Sequence, residues 1–172
     1  PRVPRGLRLR AIDSTTVQGP ASKGTEWRVH YTVDLLTLNC DWHEVTDARG
    51  GEHLSRAPVQ AGDVLLGDRN FLHARATRAV VDAGGHVLIR LRWNHPPMLS
   101  EHRDEAVFHA LPHARRLRVG QVGDWSVLLL AGAEAPISGR VVAIRLPRPV
   151  AARSERRVQR TAGRKAARLD PK

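Results

Sequence analysis

The chain has 172 residues, with 28 lysines and arginines against 17 aspartates and glutamates, a formal net charge of +11, and 41% hydrophobic residues. That apolar share supplies one real core and excludes disorder throughout. The longest apolar runs, such as Val127–Ala131, fall far short of the ~20 residues that carry a helix across a bilayer.

A single cysteine, Cys40, excludes an internal disulfide framework and a multi-cysteine zinc site. Pro1–Arg10 is basic but has no apolar segment, so it does not read as a signal peptide. Because the first residue is Pro1 and not Met, the sequence is expected to begin inside a longer reading frame. The charge is uneven: nine basic residues against Glu155 and Asp170 fall between Arg148 and Lys172. Such a segment is the electrostatic footprint of a phosphate-backbone binder, although an arginine-rich composition alone produces the same excess.

In chain order, Leu7–Ile12 alternates apolar and polar, the period of a strand with one buried face, and runs into Asp13-Ser14-Thr15-Thr16. Residues 18–24 form a loop by their Gly, Pro and Ser content. Trp27–Asp34 alternates again with strand-favouring residues, and Asn39–Thr46 reads as a third strand of an antiparallel meander, closed by the turn Asp47–Gly51. A helical turn is predicted around Glu52–Ala57. Val64–Gly67 is a short apolar run that fits a strand buried on both faces, followed at once by Asp68-Arg69-Asn70. Phe71–Ala83 has helical spacing with a stop at Gly84-Gly85, and Val87–Ile89 is a second buried-type strand leading to Arg90-Leu91-Arg92-Trp93. This order implies an α/β fold, a mixed sheet built from a meander and a βαβ crossover. Beyond Asn94–Pro97 the pattern changes: residues 102–118 are polar and basic, and Ser126–Leu130 and Arg140–Leu146 are strands of a small β-rich insertion. Arg153–Leu169 reads as a basic helix or an extended arm.

Asp13 and Asp68 stand apart from the other acids because each follows a predicted strand. If those strands are neighbours, both carboxylates emerge at one sheet edge, where α/β folds build sites. Two close carboxylates stay ionised together only with a cation between them, and Mg²⁺, with Mn²⁺ as its substitute, takes such oxygen ligands. The competing reading makes Asp13 a turn cap and Asp68 the N-cap of the following helix.

Two motifs carry a family resemblance: Ala11-Ile12-Asp13-Ser14-Thr15-Thr16-Val17, and Val64-Leu65-Leu66-Gly67-Asp68-Arg69-Asn70-Phe71. In this order, with His30-Tyr31 and Val45-Thr46-Asp47 between them, Arg10–Arg92 resembles the insertion-sequence transposases of the DDE class, whose catalytic core is RNase H-like. Val87–Asn94 resembles the strand that leads into that family's β-rich insertion. Asn70-Phe71 stands where the family has Gly-Tyr.

The resemblance implies that Asp13 and Asp68 are the first two catalytic, metal-binding carboxylates and that Arg69 approaches DNA phosphate or orients the site. It implies residues 1–95 as the first part of the catalytic core, 96–147 as the insertion and 148–172 as a truncated basic helix or arm. DNA, as element ends and target, is the implied partner, with a homodimer in the longer protein and a bacterial cytoplasmic, nucleoid-associated location. Arg69, Arg90, Arg92, Trp93, Arg156, Arg157, Arg160, Arg164 and Lys165 are the candidate DNA contacts; an exposed Trp93 or Trp125 could stack on a base. The family's third acid, a glutamate preceded by Tyr-x-x-Arg, has no counterpart: the single tyrosine is Tyr31, and the late acids Glu134, Glu155 and Asp170 lack its context. The sequence is therefore expected to stop short and to cleave no DNA by itself.

Other signals are weaker. His109 and His113 share i,i+4 spacing, but Pro112 lies between them and no H-E-x-x-H pattern exists. No nucleophile elbow, phosphate loop or dinucleotide fingerprint is present. The competing functions are a non-catalytic basic nucleic-acid-binding module and a metal-dependent nuclease of similar fold.

Overall fold

The period-2 stretches of the first half become a single mixed sheet. The computed structural model describes residues 5–92, 95–102, 106–154, 156 and 159–160. Strands β1 (Arg8–Val17), β2 (Trp27–Asp34) and β3 (Cys40–Asp47) pair as an antiparallel meander, and β4 (Asp63–Gly67) and β5 (His86–Ile89) add in parallel on the other side of β1. The order across the sheet is β3-β2-β1-β4-β5. Local side chains set the turns: the Asp34 carboxylate accepts N–H bonds from Leu36 and Thr37 between β2 and β3, and Asp47 accepts from Arg49 and Gly50 after β3.

Helix α1 (Ala74–Asp82) makes the crossover from β4 to β5. Its Ala76 and Val80 face the sheet and pack with Ile12, Leu54, Ala57, Leu65 and Phe71, while Gly84, at φ +77°, ends the crossover in a conformation that costs other residues strain. The helix is shorter than the apolar spacing predicts. Arg69–Phe71 is a separate 3₁₀ turn, and extended backbone at His73 starts α1 afresh. The turn predicted around Glu52–Ala57 is a 3₁₀ turn over Leu54–Arg56.

A second sheet follows, β6 (Met98–Ser100), β7 (Val122–Leu129) and β8 (Ile137–Ile144), in that order and antiparallel. The polar stretch 102–118 contains the short helix α2 (Ala110–Arg115) and two buried anchors, Phe108 and Leu117. Phe108, Met98, Val127, Leu129, Ile137 and Val141 form a second core against which Ala74, Ile89 and Leu91 pack. Ile89 touches both cores, so the second sheet leans on the β5 end of the first. Described residues of the tail are helical over 148–154.

Two expectations about burial need correction. β4 and β5 are not buried on both faces: Asp63 and Leu65 are buried, Val64 and Leu66 half-buried, and Leu88 on the edge strand is 64% exposed. In β1 the alternation is real but its inward face is the opposite one. Arg10, 2% exposed, is buried on one face with Ile12, while Leu9 and Ala11 lie half-buried on the other.

Arg10 can be buried because its charge is matched. Its Nε donates to Asp41 (2.7 Å), Nη1 to Asp63 (3.0 Å) and to the Pro58 carbonyl (2.7 Å), and Nη2 to Thr32 (2.8 Å); Thr32 in turn donates to Asp41. Arg8 forks onto the same Asp63 at 2.7 and 2.9 Å. Burial works to raise the Asp63 carboxyl, but the Arg8 bond, the Gln60 N–H and the two guanidinium charges outweigh it and hold the group below its ordinary range. Asp41 is likewise held low by Thr32 and Arg10 against its burial, and Asp34 by the N–H groups of Thr37 and Leu36.

His30, 1% exposed with Nε2 3.1 Å from the Thr46 hydroxyl, and His53 are both pushed down, mainly by burial. Depressed carboxyls contribute stability that is complete above about 3.8 and lost as pH falls through their folded values. The histidines have the same sign, complete above about 6.5 and lost below it. The urea midpoint is therefore expected to hold level from pH 8 to about 6.5, sag below that, and fall more steeply near 4 and under. A midpoint that stays constant down to pH 3 would contradict these assignments.

Candidate functional site

The parallel pairing of β1 with β4 decides where the two aspartates meet. Its last register pair is Ala11 with Leu66. Two residues further on are Asp13, still within β1, and Asp68, the residue after β4; continuing the register sets them level with one another and, by alternation, on the face shared by Ala11 and Leu66. Asp68 keeps extended backbone, φ −74° and ψ 178°, so the alternation carries through it. Asp13 does not end its strand, as the sequence suggested: β1 runs on to Val17 against β2, and it is the parallel ladder with β4 that ends just before Asp13.

The same row extends across the sheet. On β2 Tyr31 is paired with Asp13, and on β3 His43 with Tyr31. On the other side, the pairing of Gly67 with Ile89 sets Arg90 one step on, beside Asp68. Sequence reasoning missed Tyr31 and His43 as neighbours of the aspartates; the available signal was the two-residue period of the meander, once its register is known.

Both carboxylates are exposed, and each gives one oxygen to a local backbone N–H. Asp13 Oδ1 accepts from Ser14 at 2.8 Å, and Asp68 Oδ1 accepts from Asn70 at 2.7 Å, which makes Asp68 the N-cap of the 3₁₀ turn. The remaining oxygen of each takes no protein hydrogen bond among the described residues. Two hard oxygen donors left open on one face fit a magnesium-type cation, which binds through one or two carboxylates and keeps several waters. Phe71, 1% exposed, packs beneath the turn, with its side chain against Gly67. Gly67 has no room to spare: a Cβ there would stand 3.1 Å from Phe71 Cβ. Ser14, on the opposite face of β1, donates to Glu52 at 2.8 Å.

Beside Asp68 opens an apolar groove of about 1290 Å³ between β5 and the three-stranded sheet. Leu66, Leu88, Trp125 and Val142 line it together with Arg90, Arg92 and Arg140.

Of the predicted DNA contacts, Arg69, Arg90, Arg156 and Arg160 are exposed, and Arg92 is half-buried. Trp93, Arg157, Arg164 and Lys165 lie outside the described residues. Trp125 is half-buried, its ring 6.1 Å from Phe108 and 5.5 Å from His113, which also stacks on Phe108. That is a packing role for Trp125; His109 precedes α2 as its N-cap residue. Among the late acids, Glu134 lies 3.8 Å from Arg78; Glu155 and Asp170 are outside the described residues. No group of three or more histidines, cysteines and acids placed to hold a metal occurs among the described residues. No described helix is long and apolar enough to cross a membrane.

Comparison with known proteins finds curated relatives of one kind, the transposases of insertion sequences. One is InsL of Escherichia coli strain K12, named as a transposase for insertion sequence element IS186A; another is the Escherichia coli transposase for element IS421. Each is 28% identical over 147 residues, which is 83% of this chain and 39% of the relative, so the chain spans well under half the length of the relatives it matches. No family model matches the sequence, and no solved structure matches it.

Proposed function

We propose that this chain is part of the catalytic domain of a DDE-class insertion-sequence transposase, with the five-stranded sheet as an RNase H-like core. The observation that carries the reading is the levelling of Asp13 and Asp68 on one sheet face, where the parallel β1–β4 ladder ends. The order β3-β2-β1-β4-β5, with the α1 crossover, supports the core; similarity to insertion-sequence transposases supports the function. In this reading Asp13 and Asp68 would hold Mg²⁺, or Mn²⁺ in its place. When bound, such a cation supplies charge neutralisation at a phosphodiester and a more acidic water.

The chain's own residues orient and bind. The Ser14 and Asn70 N–H groups fix one oxygen of each aspartate, and the other oxygen is left without a protein hydrogen bond among the described residues. Exposed Arg69 and Arg90, beside Asp68, engage DNA phosphate at the same edge, and Arg156 and Arg160 extend the basic surface. With two of the three acids that the resemblance calls for, the chain alone leaves DNA uncut. DNA is the proposed partner, the longer protein a homodimer, and its place the bacterial cytoplasm with the nucleoid.

The test is a Mn²⁺ titration followed by thermal unfolding. A ligand that binds only the native state stabilises it, by about 2.7 kcal/mol at one hundred times its dissociation constant. The native chain is expected to show a saturable rise in Tm, and Asp13→Asn and Asp68→Asn to lose it. An equal rise in all three would return both aspartates to the role of caps.

A further inference from the structure

The parallel β1–β4 ladder has only four register pairs, from Arg8 with Asp63 to Ala11 with Leu66. No hairpin sets it, since β2 and β3 intervene in the chain. Nor does hydrophobicity: β4 reads Asp63-Val64-Leu65-Leu66-Gly67, and its aliphatic residues suit either face and several alignments. Asp63 is the one side chain of β4 that tolerates a single alignment. It is 2% exposed, and all its partners are fixed: the fork from Arg8, the Arg10 Nη1 bond at 3.0 Å and the Gln60 N–H at 3.0 Å. Any slip of β4 along β1 would bury this carboxylate away from at least part of that set.

We propose that Asp63, clamped by Arg8 and Arg10, is a positioning residue that specifies the β1–β4 register and thereby levels Asp13 with Asp68. Arg8 and Asp63 form the first pair of the ladder, and the two candidate acids lie five residues on from them along each strand. A slip of one residue would turn Asp68 to the opposite face; a slip of two would keep the face but displace it by ~6.6 Å along the sheet. Setting register is a use to which buried ion pairs are well suited, because their misalignment costs more than their alignment returns. The inference rests on reading Asp13 and Asp68 as a cation-holding pair.

Two readouts test it. In a Cys40→Ser background, Ala11→Cys with Leu66→Cys reports the native register by disulfide cross-linking, and Ala11→Cys with Val64→Cys reports a slip of two. Mn²⁺ affinity is read by electron paramagnetic resonance on the chain without the paired cysteines. Asp63→Asn is expected to lower the native cross-link, raise the slipped one and weaken Mn²⁺ binding by about 10-fold or more, the scale on which groups that support metal ligands act. Thr32→Val loosens the same charged network from β2 without touching the β1–β4 contact; it is expected to lower Tm while leaving the cross-links and Mn²⁺ affinity as they were. Should Asp63→Asn fail to fold, Arg8→Gln removes the fork from a partly exposed position and shifts the same readouts in the same direction. Unchanged cross-links in the Asp63 or Arg8 variant, or equal changes in Thr32→Val, would overturn the proposal. A native chain that binds no Mn²⁺ would sink the cation reading instead, and the cross-links would still decide the register role.

Discussion

Arg10→Ala is expected to destabilise the fold by about 3–5 kcal/mol, the range observed when one partner of a buried ion pair is removed. This guanidinium donates four hydrogen bonds, to Asp41 of β3, Thr32 of β2, Asp63 of β4 and the Pro58 carbonyl, so one truncation removes side-chain ties to three strands at once. Asp63 keeps Arg8, but the Pro58 carbonyl and Thr32 lose the only guanidinium donor they have among the described residues, and a cavity opens where the side chain lay. Arg10→Lys is expected to recover little, because one ammonium cannot reproduce a fork that meets four acceptors in different directions. Urea unfolding followed by circular dichroism reads the change. A loss under 1 kcal/mol for Arg10→Ala would show that the network is far less coupled than its geometry implies.

The second large effect belongs to Phe71→Ala, again about 3–5 kcal/mol, the usual cost of emptying a buried aromatic position. Phe71 is 1% exposed and touches the core of the first sheet, yet it sits three residues after Asp68 and against Gly67. Its loss therefore acts at two levels. Beyond the drop in stability, the 3₁₀ turn that Asp68 caps loses its floor, so the Mn²⁺-dependent rise in Tm is expected to shrink even at temperatures where the variant is folded. Phe71→Leu, which keeps part of the volume, is expected to cost less on both counts. Thermal unfolding with and without Mn²⁺ separates the two. A Phe71→Ala variant with native stability would refute the packing role.

Much of the fold is legible in the residues because local rules govern it. The two-residue period marks β2 and β3 to within a residue and the start of β1, whose end lies five residues beyond the alternating stretch; Asp34 and Asp47 supply the turn chemistry between and after β2 and β3, and Gly84 marks the end of the crossover helix. Departures occur where tertiary neighbours outvote a local signal. In Phe71–Ala83 a uniform helical spacing hides a break, since Phe71 ends the 3₁₀ turn that Asp68 caps and turns inward there, and the helix starts only at Ala74. In 102–118 a polar composition hides Phe108 and Leu117, two buried anchors too few to make a period.

The deciding case is β1. Alternation along Leu7–Ile12 is visible in the chain, and so is the aspartate that follows it; which face turns inward is not. Hydrophobicity favours the leucines, but the inward position went to Arg10, because Asp41 and Asp63, distant in sequence, arrive at hydrogen-bonding distance and cancel the cost of burying its charge. The residues alone thus determine that Asp13 and Asp68 follow strand-forming runs and carry ionisable oxygen. That they stand level on one face is settled only when β4 comes to lie beside β1 in parallel, a pairing between segments too far apart in sequence for any local preference to align.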